Sequence, residues 1–398
     1  MPILMHVSMG NIDGVFHPGQ NVEGTLHFEV TEVLKAKGIK IILEGTANTK
    51  WIMSKGNRES HGRTREVPYS AKLNYINSEV LVWQPDEGRS KGHLMPGSHM
   101  FPFCFHLPEH SPPSYEGTYG HIRYEVKAIL ERPWKPNRTA HQHFTVAPTF
   151  DLNSYSSANL PVEGSKTKKI GFCLFRHGKI DVSMKLEKKG FVCGDEIGVR
   201  VHVDNYSRRP VIRAECVLIQ QSRYLAYRYG MGCDDDSAIE VGRYLSRKRE
   251  DRRIAGVMQE LLIAPHTDQN FGLRIHVPCT VPTFNSTLIH VDYRVEVRVY
   301  AKCRIRNLVR CDGGIVIGTI PLFYEDELEK AEEAGEVITS TYEEAASNAI
   351  SHRLDEDEDE RFVPRYLIYR RRPKQEEQPP PLDDISPVPD LDDDDVID

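Results

Sequence analysis

Ile122-Arg123-Tyr124-Glu125-Val126-Lys127-Ala128-Ile129-Leu130 sets Ile122, Tyr124, Val126, Ala128 and Leu130 on one side of an extended chain. Arg123, Glu125 and Lys127 fall on the other. Val291-Asp292-Tyr293-Arg294-Val295-Glu296-Val297-Arg298-Val299 repeats the pattern in the second half of the sequence. A period of two puts one set of side chains on a buried sheet face and the other in water. Upstream of each run stands another matched pair. Gly14-Val15-Phe16-His17-Pro18-Gly19-Gln20-Asn21-Val22 opens a strand alternating as Leu26, Phe28 and Val30. Gly190-Phe191-Val192-Cys193-Gly194-Asp195-Glu196-Ile197 opens one alternating as Val199, Val201 and Val203. The separation of Gly14 from Gly190 nearly equals that of Tyr124 from Tyr293, so one module is written twice. The reading is an all-β chain of two tandem β-sandwich domains.

The bulk properties fit that reading. A chain of 398 residues has room for two or three domains, and 39 % hydrophobic residues suffice for folded cores. The eight cysteines show no Cys-x-x-Cys pair. Several alternate with apolar neighbours, as Cys104 does between Phe103 and Phe105, so buried reduced thiols are expected. The opening Met1-Pro2-Ile3-Leu4-Met5-His6-Val7 lacks the basic start and apolar core of a signal peptide, and no run approaches a membrane span. A soluble intracellular protein is expected.

Charge is distributed unevenly. From Glu325 onward there are 25 acidic and 8 basic side chains, against 33 acidic and 43 basic before it. A basic body with an acidic tail suits anionic partners on the body and competition from the tail.

Short alternating strands separated by Gly, Pro and Asn turns run from Leu4 to Val146. The basic stretch from Ser54 to Arg65, with Lys55, Arg58, Arg63 and Arg65, reads as a hairpin tip. The domain limits expected are 4–150 for the first sandwich, 151–169 for a linker, 170–322 for the second sandwich and 323–398 for the tail. Between Tyr224 and Ile254 the strand pattern breaks into a charged loop. Asp326 to Asn348 reads as a solvated helix weakened by Gly335. Dense charge and low hydrophobicity make the tail a disordered segment, with Phe362-Val363-Pro364-Arg365-Tyr366-Leu367-Ile368-Tyr369 as an apolar island beside the acidic run Asp355 to Glu360.

Several stretches closely resemble the arrestin-domain-containing proteins, the α-arrestin branch of the arrestin family. They include Met95-Pro96-Gly97-Ser98-His99-Met100-Phe101-Pro102-Phe103-Cys104-Phe105, Pro112-Pro113-Ser114-Tyr115-Glu116-Gly117, Arg132-Pro133-Trp134 and Val316-Ile317-Gly318-Thr319-Ile320-Pro321-Leu322. The island Phe362-Val363-Pro364-Arg365-Tyr366 resembles a short element beyond the fold in many members. The resemblance implies immunoglobulin-type arrestin sandwiches and a cytoplasmic adaptor, peripheral at the plasma membrane and endosomes. Such an adaptor binds receptors or transporters and links them to ubiquitination, endocytosis and endosomal sorting. Implied partners are membrane cargo, a HECT-type ubiquitin ligase and endosomal coat proteins, with peripheral membrane contact and no nucleic acid. Neither catalysis nor a cofactor or metal is expected. The alternative is a structural subunit of an endosomal sorting coat, like the arrestin-shaped retromer subunits.

Many α-arrestins recruit the ligase through Pro-Pro-x-Tyr motifs in the tail, read extended by WW domains. Here the tail's Pro379-Pro380-Pro381-Leu382-Asp383 lacks the tyrosine. Pro112-Pro113-Ser114-Tyr115 falls inside the first sandwich, where it reads as scaffold.

Three further sites stand out. Arg243, Arg247, Lys248, Arg249, Arg252 and Arg253 form a cluster for phosphorylated cargo or anionic lipid, the alternative being a solvated loop face. Phe362, Pro364, Arg365, Tyr366 and Tyr369 form a candidate docking element that would add to a sandwich edge. His141 and His143 share a strand face at a spacing that can bind metal, but no third ligand is evident, and two exposed strand histidines are the plainer reading. Cys233 beside Asp234 to Asp236 is a poor nucleophile, which leaves a redox- or metal-linked regulator as a third, remoter reading.

Overall fold

The computed structural model describes residues 3–56, 64–86, 92–172, 175–228, 245–303, 307–349 and 361–373. Arg243, Cys233, Asp355 to Glu360 and the tail prolines lie outside the described residues, as does the tip of the Ser54–Arg65 hairpin.

Each half is a two-layer sandwich. In the first, Ile3–Met9, Asn21–Val30 and Gly97–His106 form a three-stranded antiparallel sheet. It faces a sheet containing Gly38–Gly56, Thr64–Trp83, Gly120–Glu131 and Arg138–Val146. In the second half, Val162–Phe172, Phe175–Leu186, Glu196–Asn205 and Thr267–His276 form the smaller sheet. Val211–Arg228, Leu245–Ile263, Ile289–Ala301 and Leu308–Gly318 form the larger.

The duplication extends to an unusual detail. Val15–Phe16 runs parallel to the end of Arg138–Val146, and Gly190–Val192 runs parallel to the end of Leu308–Gly318. Ile122, Tyr124, Val126, Ala128 and Leu130 are all buried, as are Val291, Tyr293, Val295, Val297 and Val299. The alternation that decides the fold is thus the core itself.

The two large sheets join. Tyr227 and Arg228 pair with Ser70 and Tyr69, which makes one twelve-stranded sheet across both domains. The Thr49 hydroxyl donates to the Leu225 carbonyl at 2.6 Å beside that junction.

Several expectations change. Val162–Phe172 is a strand of the second domain, so ordered sheet begins inside the stretch read as linker. The charged loop before Ile254 becomes strand from Leu245 onward, because its alternating side chains find partners along Val211–Arg228. The reading of 326–348 as helix holds only to Glu333. After the helix Tyr324–Glu333, Gly335 takes a left-handed φ of 69° and Glu336–Glu344 is a strand. That segment and Arg365–Pro373 are folded, so the tail is not disordered throughout. Cys104 is exposed, since Phe103 and Phe105 both face the core and parity turns the residue between them outward. Cys193, Cys216, Cys279 and Cys311 are buried as expected. Among the described residues no helix is long and apolar enough to cross a membrane.

Candidate functional site

The seam between the sandwiches is where the chain concentrates its long-range polar contacts. It starts from Pro112-Pro113-Ser114-Tyr115. Two prolines cannot donate to a ladder, so the chain leaves the small sheet after His106 and joins the large one at Tyr115–Gly117, beside Gly120–Glu131. The Tyr124 hydroxyl pins this crossover by donating to the Pro112 carbonyl at 2.8 Å. Ser114 closes on Val146 from both sides: its N–H donates to the Val146 carbonyl, and its Oγ accepts the Val146 N–H, each at 2.9 Å.

Tyr115 then reaches the other domain. Its side chain is 3 % exposed, and its hydroxyl lies 2.7 Å from Ser222 Oγ and 3.0 Å from the Tyr224 hydroxyl. Burial pushes its phenol up to about 12. Tyr224 donates onward to Glu250 at 3.1 Å, and Glu250 also accepts from Thr118 and Arg252, each at 2.7 Å. A WW domain needs the tyrosine accessible, and here its ring is buried between the two domains.

The folded part of the tail sits on the same seam. Glu336–Glu344 and Arg365–Pro373 pair as an antiparallel hairpin from Glu336↔Pro373 to Glu344↔Arg365. Phe362, Pro364, Tyr366 and Ile368 alternate inward and are buried. The Tyr366 hydroxyl donates to the Ser114 carbonyl at 2.9 Å, and burial holds its phenol well above the ordinary tyrosine range. Arg365 ties the hairpin to the first domain through its N–H to Thr145 Oγ1 and its guanidinium to the Asp13 carbonyl, each at 3.0 Å. Phe362 packs on the His143 ring at 5.6 Å between centroids.

Tyr369 ties the hairpin to the second domain. Its N–H donates to the Cys193 carbonyl at 3.0 Å and its hydroxyl to the Thr319 carbonyl at 2.7 Å. Gly194, at a φ of 96°, lets the Tyr369 backbone come close, since a Cβ there would stand 1.9 Å from the Tyr369 carbonyl oxygen. Arg370 forks onto Glu343 at 2.8 and 2.6 Å and staples the hairpin to itself.

The docking element expected from Phe362, Pro364, Arg365, Tyr366 and Tyr369 is therefore assembled at one place, with a correction to its partner. It does not add to a sandwich edge. Arg365–Pro373 meets the end of Gly190–Val192 only through the Tyr369 N–H on the Cys193 carbonyl, and pairs instead with Glu336–Glu344, which sequence reading took for helix. The Glu–Val–Ile–Thr–Ser–Thr–Tyr run there carries the β-branched signal that was available.

The five described members of the basic cluster lie on one strand and divide between its two faces. On Leu245–Ile263, Lys248 and Arg252 point inward, Arg252 bonding Glu250 and Lys248 lying over the Tyr119 ring at 5.2 Å. Arg247, Arg249 and Arg253 point outward. Arg249 pairs with Asp251 at 3.0 Å, and Arg253 with Glu215. Partial burial alone would raise the Asp251 carboxyl, but Arg249 and Arg294 hold it at about 2. Three of the five described cations are thus paired with carboxylates, two of them within the strand and Arg253 across to Val211–Arg228, while Arg247 and Lys248 pair with none among the described residues.

His141 and His143 also separate in role. His141 Nδ1 lies 2.9 Å from Glu125, whereas His143 is turned under Phe362, where burial lowers its affinity for a proton. Neither belongs to the one group of potential metal ligands found among the described residues, the half-exposed His202 and Asp204 with the exposed Asp268. Burial raises the thiols of Cys193 and Cys216 to about 12 and those of Cys279 and Cys311 to about 11, which suits packing rather than nucleophilic attack.

Comparison with known proteins agrees with this architecture. Residues 5–153 match the family model "Arrestin (or S-antigen), N-terminal domain", and residues 176–322 match "Arrestin (or S-antigen), C-terminal domain". Arrestin domain-containing protein 4 of Mus musculus is 28 % identical over 310 residues, covering 77 % of this chain and 69 % of that protein. Arrestin domain-containing protein 17 of Caenorhabditis elegans is 31 % identical over 226 residues, 55 % of this chain and 52 % of its own length. The thioredoxin-interacting protein of Mus musculus is 31 % identical over 216 residues, covering 53 % and 52 % respectively.

Proposed function

This chain belongs to the arrestin family, in its arrestin-domain-containing branch, and from that premise we propose that it is a cytoplasmic adaptor for membrane receptors or transporters, whose tail hairpin governs access to the cargo-binding body. The adaptor would link its cargo to ubiquitination, endocytosis and endosomal sorting, working peripherally at the plasma membrane and endosomes.

The observation that carries this reading is the seat of the hairpin. Through Arg365 and Tyr366 it bonds the first domain, and through Tyr369 the second. While docked it holds the two sandwiches in one relation; once displaced it would leave Ser114, Thr145 and Thr319 acceptors open to another extended segment. A ligand that binds better to the open form shifts that equilibrium by its differential affinity alone. Cargo phosphates at the arginine ladder would have to displace Asp251 or Glu215, so the ladder takes second place to the seam in this reading. With Tyr115 buried, a HECT-type ligase would join through another protein or another segment.

Proximity labelling in cells tests this, with the full chain compared to its Tyr366→Ala variant. Receptors, transporters and ubiquitin ligases that gain labelling in the variant support the adaptor reading. A fixed set of coat subunits, unaltered by the variant, would instead support a structural role in an endosomal sorting coat.

A further inference from the structure

Leu245–Ile263 is an edge strand of the second domain's larger sheet. Val211–Arg228 pairs along one side of it, from Tyr227↔Leu245 to Val211↔Ile263, and no strand pairs along the other among the described residues. At the opposite edge of that sheet, Gly190–Val192 lies alongside Leu308–Gly318. An edge strand leaves a row of N–H and C=O groups that can pair with another chain, and proteins blunt such edges with charges or bulges. The first half of this strand is blunted in that way. Every residue from Arg247 to Arg253 is charged, and the register against Val211–Arg228 slips between Arg253 and Ala255.

The second half is not. Ala255-Gly256-Val257-Met258-Gln259-Glu260-Leu261-Leu262 carries Glu260 as its single charge, over about 25 Å of edge. Parity puts Gly256, Met258, Glu260 and Leu262 on one face, and all four are exposed. Met258 is 55 % and Leu262 73 % exposed, so this face is apolar at its centre and at its end. Among the described residues the tail touches the edge at its start, where the Asn348 side-chain amide donates to the Ile254 carbonyl.

This edge is complementary to itself. In an antiparallel pairing about a two-fold axis, each residue meets a partner residue on the same face, so a second copy can add with Met258 on the axis. Gly256 of one copy then stands opposite the partner's Glu260. Arg253 lies over Gly256, where a Cβ would stand 2.6 Å from its Nη2. Its carboxylate partner, Glu215, is shared with Arg298 at 3.5 Å. Glu260 is exposed and pairs with no cation among the described residues. Arg213, which faces Glu260 on the neighbouring strand, is turned onto the Tyr300 ring at 4.3 Å. The axis thus carries each copy's unpaired carboxylate to the other's half-compensated guanidinium. On the opposite face the same register sets Val257 against Gln259 and Ala255 against Leu261.

We propose that this edge is the interface of a symmetric dimer, in which Ala255 to Leu262 of two copies pair antiparallel, Met258 lies on Met258, and Glu260 of each copy reaches Arg253 of the other. Such a pairing adds main-chain hydrogen bonds along the edge and continues the larger sheet of one copy into that of the next. An acidic peptide would serve Arg253 and leave Glu260 unanswered, and a basic peptide the reverse; a second copy serves both. Eight residues a side make an interface smaller than those of permanent dimers, so the association is reversible and follows protein concentration.

Sedimentation velocity of the full chain tests the dimer. Between about 1 and 100 µM the mass should rise from 45.5 kDa toward twice that value. Met258→Lys sets two like charges face to face, and Glu260→Lys sets a cation against Arg253. Each change counts twice in a symmetric interface, so each should raise the dissociation constant at least about tenfold. In a Cys104→Ser background, Met258→Cys should give a disulfide-linked dimer under a mild oxidant. Leu262→Cys should not, because its two copies stand about 25 Å apart in this register. Met258, Glu260 and Leu262 are exposed, so thermal midpoints of the dilute variants should match the parent. A monomer at every concentration, a dimer indifferent to both lysine variants, or equal cross-linking through Leu262→Cys would each overturn the proposal and leave the edge to a partner peptide or to water. The pairing does not involve the tail hairpin, so such a result leaves the hairpin reading standing.

Discussion

Replacing Tyr366 by alanine should release the tail hairpin while leaving both sandwiches folded. Tyr366 is 3 % exposed, and its hydroxyl is bonded to the Ser114 carbonyl at 2.9 Å. Truncating a buried aromatic costs about 3–5 kcal/mol, and about 1 of that belongs to the hydrogen bond. The loss falls on docking, because the ring packs on the seam and not inside either sandwich. A two-stranded hairpin has no stability of its own in water. The opening equilibrium should therefore rise by about two to three and a half orders of magnitude. Native-state amide exchange read by mass spectrometry measures this directly. Peptides covering Glu336–Glu344 and Arg365–Pro373 should lose protection by that factor, and those covering Gly120–Glu131 and Ile289–Ala301 should keep theirs. Tyr366→Phe keeps the ring and should shift the tail only about fivefold. Unchanged tail protection in Tyr366→Ala would refute the reasoning, as would equal loss in the core strands, which would make hairpin and sandwiches one cooperative unit.

Other consequences can be read separately. Asp251 is held at about 2, below the ordinary 3.8, so its contribution to stability is complete above the ordinary value and fades as pH falls toward about 2; the difference in thermal midpoint between the parent and Asp251→Asn should shrink over that window and be flat above it. Glu250, which burial would raise but Arg252 and Thr118 hold low, joins both domains, so Glu250→Gln should cost about 1–3 kcal/mol at neutral pH in urea unfolding. An isolated WW domain should bind the denatured chain or a peptide spanning Pro112–Gly117 far better than the native protein, as measured by titration calorimetry. Cys104→Ser should remove one fast-reacting thiol from the native protein, while Cys193, Cys216, Cys279 and Cys311 react only on unfolding.

Most of the fold was legible because sheet burial is a matter of local parity. Ile122 to Leu130 and Val291 to Val299 state their buried faces without reference to any other residue. The crossover at Pro112-Pro113 was equally plain, since a residue without an N–H limits its own partners. Cys104 was misjudged although its signal was present: two inward phenylalanines oblige the residue between them to face out. The buried stripe Phe362, Pro364, Tyr366 and Ile368 was likewise visible as an apolar island.

Partnership was not legible. Nothing in Arg365–Pro373 says that Glu336–Glu344 will pair with it, or that Ser114 and Cys193 will supply carbonyls on opposite sides. Arg249 and Arg252 find Asp251 and Glu250 two residues away on their own strand, but only the register against Val211–Arg228 and its neighbours brings Glu215 to Arg253 and Arg294 to Asp251. By itself the sequence determined which residues leave water, how many modules there are and where the charge lies, because those depend on each residue and its immediate neighbours. Only the tertiary structure decided which charges meet across strands and what the tail touches, because those depend on segments tens to hundreds of residues apart meeting at one place.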